Sequence, residues 1–476
     1  MTLADEIIYG TKESVERSIQ AGAEINEMDE YGFTPLIEAA ICNKVDVAEL
    51  LLARGAIIDS PDIVGRTALH WSVDNHNLPL SQLLLEHKAN PNAYSKACQP
   101  VLAFPLLRSQ EQLKDLLYGY GAKLNFAQDF INTKLVGHRF ELEGQVHIID
   151  CDGQFILIDF EGFFLEFTLS IIQDSLKRFS NNYAAKALHA YNKKIHKMLS
   201  CLNVANELIK YDHFSIEHKQ YDDRINRLLE HDLLLIPVAY EGHAITCMKC
   251  GDLWVKCDRG YNSRTEGSVV IYRVLRPQLL TKNFIKDLIY KNHSRQYVNE
   301  GINDYLGLVK LTELPLPPQV IGNCSWANVE ASVPTLLFLL LLQECNRYDP
   351  QEIIRIQNFV MNFFEQWREW DKDRALEECI QSFYNADPPR QASKIALLAA
   401  VLAQKCRYDV PHELRRAEKI LSLLLIPQYQ FILESYLKVY VENNKTEVGE
   451  NLVHLLDLAA PKGQINFLRE RPLSEE

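Results

Sequence analysis

The stretch GHAITCMKCGDLWVKCDRG, Gly242 to Gly260, holds one histidine, three cysteines and two aspartates. Two chemistries use such a set. A zinc ion takes four nitrogen or sulfur ligands at about 2.0 to 2.3 Å. His243, Cys247, Cys250 and Cys257 supply those types in the spacing H-x3-C-x2-C-x6-C. A histidine oriented by a carboxylate is instead the base that activates a nucleophile. His243 and Asp258 supply that pair, and the nucleophile would come from elsewhere. Cys324 is the candidate, in PPQVIGNCSWANVEASVPTLLFLLLLQE. There a proline-rich extended lead-in and a small-residue turn precede an apolar run, which puts Cys324 at the start of a helix. A helix N-terminus offers free N–H groups and a positive partial charge, and both favour thiolate over thiol. Asn323 or Ser325 is placed to cap it.

These residues need elements that bring them together. HAITCMK, a Cys-Gly-Asp turn and LWVKCD read as a β-hairpin. Alternation along its first strand points His243 and Cys247 to one face, with Cys250 at the turn and Cys257 near the far end. A regular hairpin does not easily converge four such ligands on one ion, so the metal is the weaker reading. The three cysteines then behave as small buried apolar residues, and no metal or cofactor is expected. Strands flank the hairpin. HRFELEG, QVHIID and FILIDFEG follow a period of two from His138, separated by turns such as CDGQ. A helical stretch runs from about Leu169 to Leu235, then LLLIPVAYEG returns to strand, and SVVIYRVL from Ser268 is another. From Cys345 the pattern is helical throughout, as in FVMNFFEQWREW and SKIALLAAVLAQKC. Trp367 and Trp370 read there as core.

The first part of the chain is repetitive. GFTPLIEAAICNKVDVAELLLARGAIIDSPDIV from Gly32 aligns without gaps on GRTALHWSVDNHNLPLSQLLLEHKANPNAYSKA from Gly65. A third copy starts at Cys98 and a partial copy, ending ERSIQAGAEIN, precedes them. Gly22, Gly55 and Gly121 recur, with Lys88 in the equivalent slot. Each unit carries an apolar helix face, such as Leu50 to Leu52, that only a neighbouring repeat can bury. TPLIEA at Thr34 and TALHWS at Thr67 resemble the ankyrin-repeat signature. That family implies protein binding through fingertips and a concave face, with Glu30, Tyr31, Ile63 and Val64 on the fingertips. The third copy lacks the Thr-Pro-Leu turn and has Pro105 inside its first helix, as a capping repeat docked on the next domain would.

Composition bounds the rest. The 476 residues exceed one core, and a content of 47% hydrophobic and 24% charged residues is globular. The net charge of −13 argues against a nucleic-acid-binding surface. MTLADEIIYGTKESVERS lacks the basic start and apolar stretch of a signal peptide. LLFLLLL, Leu336 to Leu342, is short of a membrane span of about 20 residues. Eleven scattered cysteines fit reduced thiols better than a disulfide framework. The expected architecture is multidomain α+β. Ankyrin repeats occupy 1–125, an α+β domain with a helical insertion 126–344, and an all-α domain 345–476. A monomer without membrane contacts is expected.

The histidine and cysteine regions together resemble the papain-like cysteine proteases. In that family the histidine region reads broadly H-A-V, variable residues, then W-I-x-K-N-S-W-G. Here HAIT is followed by LWVKCDRG. Gln319 lies upstream of Cys324, where the family carries its glutamine, and CSW is similar to the family's Cys-Trp with one residue inserted. The resemblance implies Cys324 as nucleophile, His243 as base and Asp258 as its orienting group. Gln319 and the Cys324 N–H would form the oxyanion site. The order His243, Asp258, Cys324 is that of a circular permutant of the family's Cys, His, Asn, and a triad is defined by geometry rather than chain order. Such a thiol serves a hydrolase or an acyltransferase. The rival is a non-enzymatic adaptor that works through its repeats, with the protease-like fold as a pseudoenzyme. The order of repeats, GHAI…CDRG, GNCSWAN and a helical tail resembles the ankyrin-repeat effectors that Legionella delivers by type IV secretion. That implies action inside a host cell, in cytosol or nucleus, and binding of a host protein. The polar end FLRERPLSEE suits the short secretion signals of such effectors.

Overall fold

The computed structural model describes residues 3–162, 164–211, 221–260, 266–319, 322–345, 348–442 and 446–459. FLRERPLSEE lies outside them. Four helix pairs open the chain: α1 (Leu3–Tyr9) with α2 (Lys12–Gln20), α3 (Pro35–Ile41) with α4 (Val45–Ala53), α5 (Ala68–Asp74) with α6 (Leu78–Glu86), and α7 (Ala103–Leu107) with α8 (Glu111–Gly119). Successive first helices pack on one another, and so do successive second helices. Thr34 caps α3 by accepting the Ile37 N–H at 3.3 Å, and Pro35 fills the first helical position. Gly55 ends α4 at φ 93°, and Lys88 holds the same left-handed turn at φ 71° in the next repeat. The repeat geometry thus persists where the glycine is lost. Helix α7 is five residues long with Pro105 inside it.

The chain divides into two compact units. The first comprises Met1–Lys96, Val101–Ala122 and Glu161–Trp370, and the second Ala97–Pro100, Lys123–Phe160 and Asp371–Glu476. The boundaries expected at 126 and 345 therefore fall elsewhere. Helix α9 (Leu124–Arg139) and the antiparallel hairpin of β1 (Gln145–Ile149) and β2 (Phe155–Asp159) belong to the second unit. HRFELEG is not a strand. Its first two residues end α9, whose Phe126, Phe130 and Val136 are buried. The helical spacing of the longer segment outweighs a short alternating run.

In the first unit the last repeat packs on the helix that leads into the sheet region. Phe104 of α7 packs its ring 5.1 Å from those of Phe164 and Phe167, the latter in α10 (Leu165–Ser180). Arg108 bridges Asp74 at 3.0 Å and Glu166 at 2.8 Å. After α11 (Asn192–Ile209) and α12 (Asp222–Leu228) come β3 (Leu233–Tyr240), β4 (His243–Cys250), β5 (Leu253–Cys257) and β6 (Val269–Val274). Helices α13 (Lys282–Tyr290) and α14 (Ile302–Leu306) separate them from β7 (Leu308–Leu314). The five strands form one antiparallel sheet in chain order. One face, with Ile236, Val238, Ile245, Cys247, Trp254 and Val270, shares a core with α13 and α14. Helix α15 (Cys324–Leu342) packs against β4 and β5. There Thr246 donates to the Asn328 carbonyl at 3.1 Å, and Cys257 Sγ lies 3.9 Å from Thr335 Oγ1. Helices α10 and α11 also pack on α15. A helix packed this way is apolar all round. Its length and hydropathy match a membrane span, and 94% burial inside the protein accounts for them. Helix α16 (Pro350–Tyr384) follows. Trp367 is core, as expected, with Nε1 donating to Ser175 Oγ at 3.0 Å, whereas Trp370 is only partly buried, 5.4 Å from the Phe179 ring.

In the second unit α17 (Pro388–Lys405), α18 (Pro411–Leu424), α19 (Gln430–Leu437) and α20 (Glu447–Ala459) form a helical assembly. Val136, Phe140, Val146 and Phe160 share its core with Leu398, Leu421 and Leu455. That shared core is why 123–160 groups with the C-terminal helices.

Candidate active site

The hairpin that carries the site begins with a tight turn. Glu241 and Gly242 both have positive φ, 46° and 78°, which matches the twist of a two-residue hairpin loop. The resulting register sets Tyr240 directly opposite His243. Strand β5 returns antiparallel to β4 and ends at Cys257, so Asp258 emerges beside the start of β4. His243 Nε2 lies 3.0 Å from Asp258 Oδ1. The Gly260 N–H donates to the same oxygen at 2.9 Å, and the Tyr240 hydroxyl donates to Oδ2 at 3.3 Å. With the carboxylate as acceptor, Nε2 carries the proton and Nδ1 is left to face the thiol. Gly260 lies against this pair. A Cβ there would sit 2.7 Å from His243 Cε1 and 3.1 Å from Asp258 Oδ1, so no side chain fits without moving the ring.

Cys324 is the first residue of α15. Asn323 sits at the N-cap but makes no side-chain cap bond, so the cap expected of it does not form. The Ala244 N–H, next to His243 on β4, donates to Cys324 Sγ at 3.4 Å. Burial works against the thiolate, but the His243 ring and the Ala244 and Ser325 N–H groups outweigh it and hold the Cys324 thiol below its ordinary pKa. Burial likewise disfavours the His243 cation, yet Asp258 and Cys324 raise that pKa to about 9. Burial would push Asp258 up, and His243, the Gly260 N–H and Tyr240 bring it below the usual carboxylate value. Charge and hydrogen bonding thus shift the three groups toward thiolate, imidazolium and carboxylate, against the effect of burial.

Cys324, His243 and Asp258 thus meet, although they lie on three elements. Gln319 is anchored by its backbone N–H on the Arg259 carbonyl at 2.7 Å, and its Oε1 is buried without a hydrogen-bond partner. Its amide makes no hydrogen bond to the thiol among the described residues. The hairpin cysteines are separated by the sheet. Cys257 pairs with Thr246 and shares its face toward α15, whereas Cys247 packs in the opposite core. One ion cannot take both. Burial pushes Cys247, Cys250 and Cys257 each up to about 12, which keeps them as thiols.

The fingertip residues Glu30, Tyr31, Ile63 and Val64 are all exposed. Asp29 and Asp62 shape these turns from within. Each accepts two backbone N–H groups, from Tyr31 and Phe33 and from Val64 and Arg66. Sequence reasoning missed Tyr240, Arg259 and Asn328. The two-residue Glu-Gly loop was the available signal for Tyr240, because it sets the register. Asn328 had a subtler one, a polar residue one helical turn past Cys324 at the head of an apolar helix.

Residues 3–95 match the family described as ankyrin repeats in three copies. Curated relatives match over short stretches. The human palmitoyltransferase ZDHHC13 is 32% identical over 84 residues, 17% of this chain and 14% of its own length. Chicken inversin is 33% identical over 94 residues, 19% of this chain and 8% of its own length. The chain thus spans a small fraction of either protein. The solved structure of the Legionella effector AnkH is similar throughout, at 44% identity and a TM-score of 0.85, covering 97% of this chain and 98% of that one. The similarity extends far beyond the repeats, and the chain belongs to the family of the Legionella effector AnkH.

Proposed function

We propose that the chain is a cysteine-protease-like effector whose ankyrin stack binds a host protein and whose Cys324 performs acyl transfer. The observation that carries the reading is the convergence of Cys324, His243 and Asp258, with the thiol lowered and the imidazole raised to about 9. Cys324 Sγ attacks an acyl carbon as thiolate, and His243 Nδ1–H then protonates the leaving group. Asp258 holds the ring so that Nδ1 faces the sulfur, and stabilises its charge. The Cys324 N–H and the Gln319 amide receive the oxyanion. Water or another nucleophile, activated by the now neutral His243, resolves the acyl-enzyme. The permuted papain-like order places the same groups from different chain positions. The apolar fingertips, with Tyr31 64% and Ile63 62% exposed, support a protein ligand for the repeats.

The test is labelling of the full chain by a thiol-directed electrophile at mildly acidic pH. Cys324→Ala abolishes selective labelling and Cys247→Ala leaves it intact. Equal labelling of both variants and the native chain rejects the nucleophile. If Cys324→Ala keeps every effect in host cells while Tyr31→Ala with Ile63→Ala loses it, the adaptor reading replaces this one.

A further inference from the structure

Asn328 is fully buried one turn into α15, yet both polar atoms of its side chain are hydrogen-bonded. Nδ2 donates to the Ala244 carbonyl at 2.7 Å, and Oδ1 accepts the Arg259 N–H at 2.8 Å. Its own carbonyl accepts the Thr246 hydroxyl. Ala244 is the residue whose N–H reaches Cys324 Sγ. The strand next to His243 is thus bonded to α15 on both sides of one residue. The residues four apart that grip it, Cys324 and Asn328, share a helix face. Arg259 extends the connection. It follows Asp258 directly, its carbonyl accepts the Gln319 N–H, and its Nε donates to the Pro317 carbonyl at 2.8 Å. Glu330, 3.4 Å from Arg259 Nη1 and 3.3 Å from Arg368 Nε, neutralises the buried guanidinium.

We propose that Asn328 and Arg259 are positioning residues, a buried polar clamp that holds the elements bearing Cys324, His243, Asp258 and Gln319 in their reactive arrangement. The inference rests on the triad read above. Physical economy supports it. Burying an amide and a guanidinium costs free energy that well-packed apolar residues would avoid. Here each hydrogen bond runs to a segment that carries one of the four groups. None of the clamp atoms touches the reacting sulfur, so the effect passes through placement of Ala244, Asp258 and Gln319.

The experiment follows alkylation of each cysteine of the full chain by iodoacetamide, resolved by peptide mass spectrometry, from about pH 5 to about pH 9. In the native chain Cys324 titrates below an ordinary thiol. In Asn328→Ala its midpoint rises, and its rate at about pH 6 falls roughly tenfold, the change that one pKa unit produces. Thr335→Val, which removes a buried hydroxyl two turns further along α15, lowers the melting temperature and leaves the Cys324 titration in place. A folded Asn328→Ala chain with an unmoved midpoint, or an equal rise in Thr335→Val, overturns the clamp. Should Asn328→Ala not fold, Thr246→Val cuts the tether to the Asn328 carbonyl, along with a contact to the inert Cys257 thiol. A smaller rise there supports the clamp and no rise overturns it. An ordinary midpoint in the native chain is a different result, because it rejects the triad itself.

Discussion

Cys257 and Cys324 belong to the same local structure and have opposite chemistry. Cys257 ends β5 and touches Thr335 in the middle of α15, while Cys324 begins that helix. Burial raises both thiols. For Cys257 the Thr246 and Thr335 hydroxyls and the Arg259 charge oppose it too weakly, and the pKa still goes up to about 12. For Cys324 an imidazolium and two N–H donors reverse the sign. Burial alone therefore does not decide whether a cysteine is inert. What decides is whether the thiolate finds charge and hydrogen-bond donors in place, and the helix end supplies donors that the helix middle has already spent on its own carbonyls.

Breaking the contrast most directly means removing the imidazole. His243→Ala should return Cys324 toward an ordinary or raised thiol, lowering its labelling at about pH 6 by about two orders of magnitude. The melting temperature separates this from unfolding. Retained labelling would show that the helix end alone activates the thiol. The second test is pH. Acyl transfer needs thiolate and imidazolium together, so turnover should fall as pH rises through about 9, where His243 loses its proton. Labelling, which needs only the thiolate, should not fall there. The stability contributed by the His243 charge is full below 6.5, the ordinary histidine value, and is lost over the same rise through about 9. Asp258 acts in the opposite direction, contributing above its ordinary value and losing that contribution in acid. A denaturation series over pH, with His243→Ala as reference, measures both arms.

Smaller effects sharpen the comparison. Gly260→Ala places a methyl 2.7 Å from His243 Cε1, and the ring must shift from Asp258. Labelling at about pH 6 should fall about tenfold with little change in secondary structure by circular dichroism. Tyr240→Phe removes one of three donors to Asp258, at the longest distance of the three. A loss of roughly threefold is expected in the same assay, in line with about 0.7 kcal/mol for one hydrogen bond of modest length. An effect as large as that of Gly260→Ala would mean that Tyr240 fixes the carboxylate rather than assisting it.

Much of the fold was legible because its signals are local. A repeat at 33 residues, a hairpin with period two and an apolar helix after a turn each reside in one stretch of chain. The positions of His243, Asp258 and Cys324 were readable for the same reason, since each sits at or beside the end of an element whose boundary the sequence marks. HRFELEG failed because a five-residue alternation also fits the end of a helix, and only burial of Phe126, Phe130 and Val136 separates the two. The C-terminal helices were legible, but their union with 123–160 was not, because 123–160 and 371–459 meet through side chains some 250 positions apart.

By itself, the sequence determined the repeats, the hairpin register, the helix start at Cys324 and the residue types available for chemistry, all consequences of short-range backbone geometry. Only the tertiary structure decided which cysteine meets the histidine, that Cys247 and Cys257 lie on opposite faces, and that Asn328 and Arg259 join the pieces. Those outcomes depend on packing between segments far apart in the chain, where direction and distance in space replace spacing in sequence.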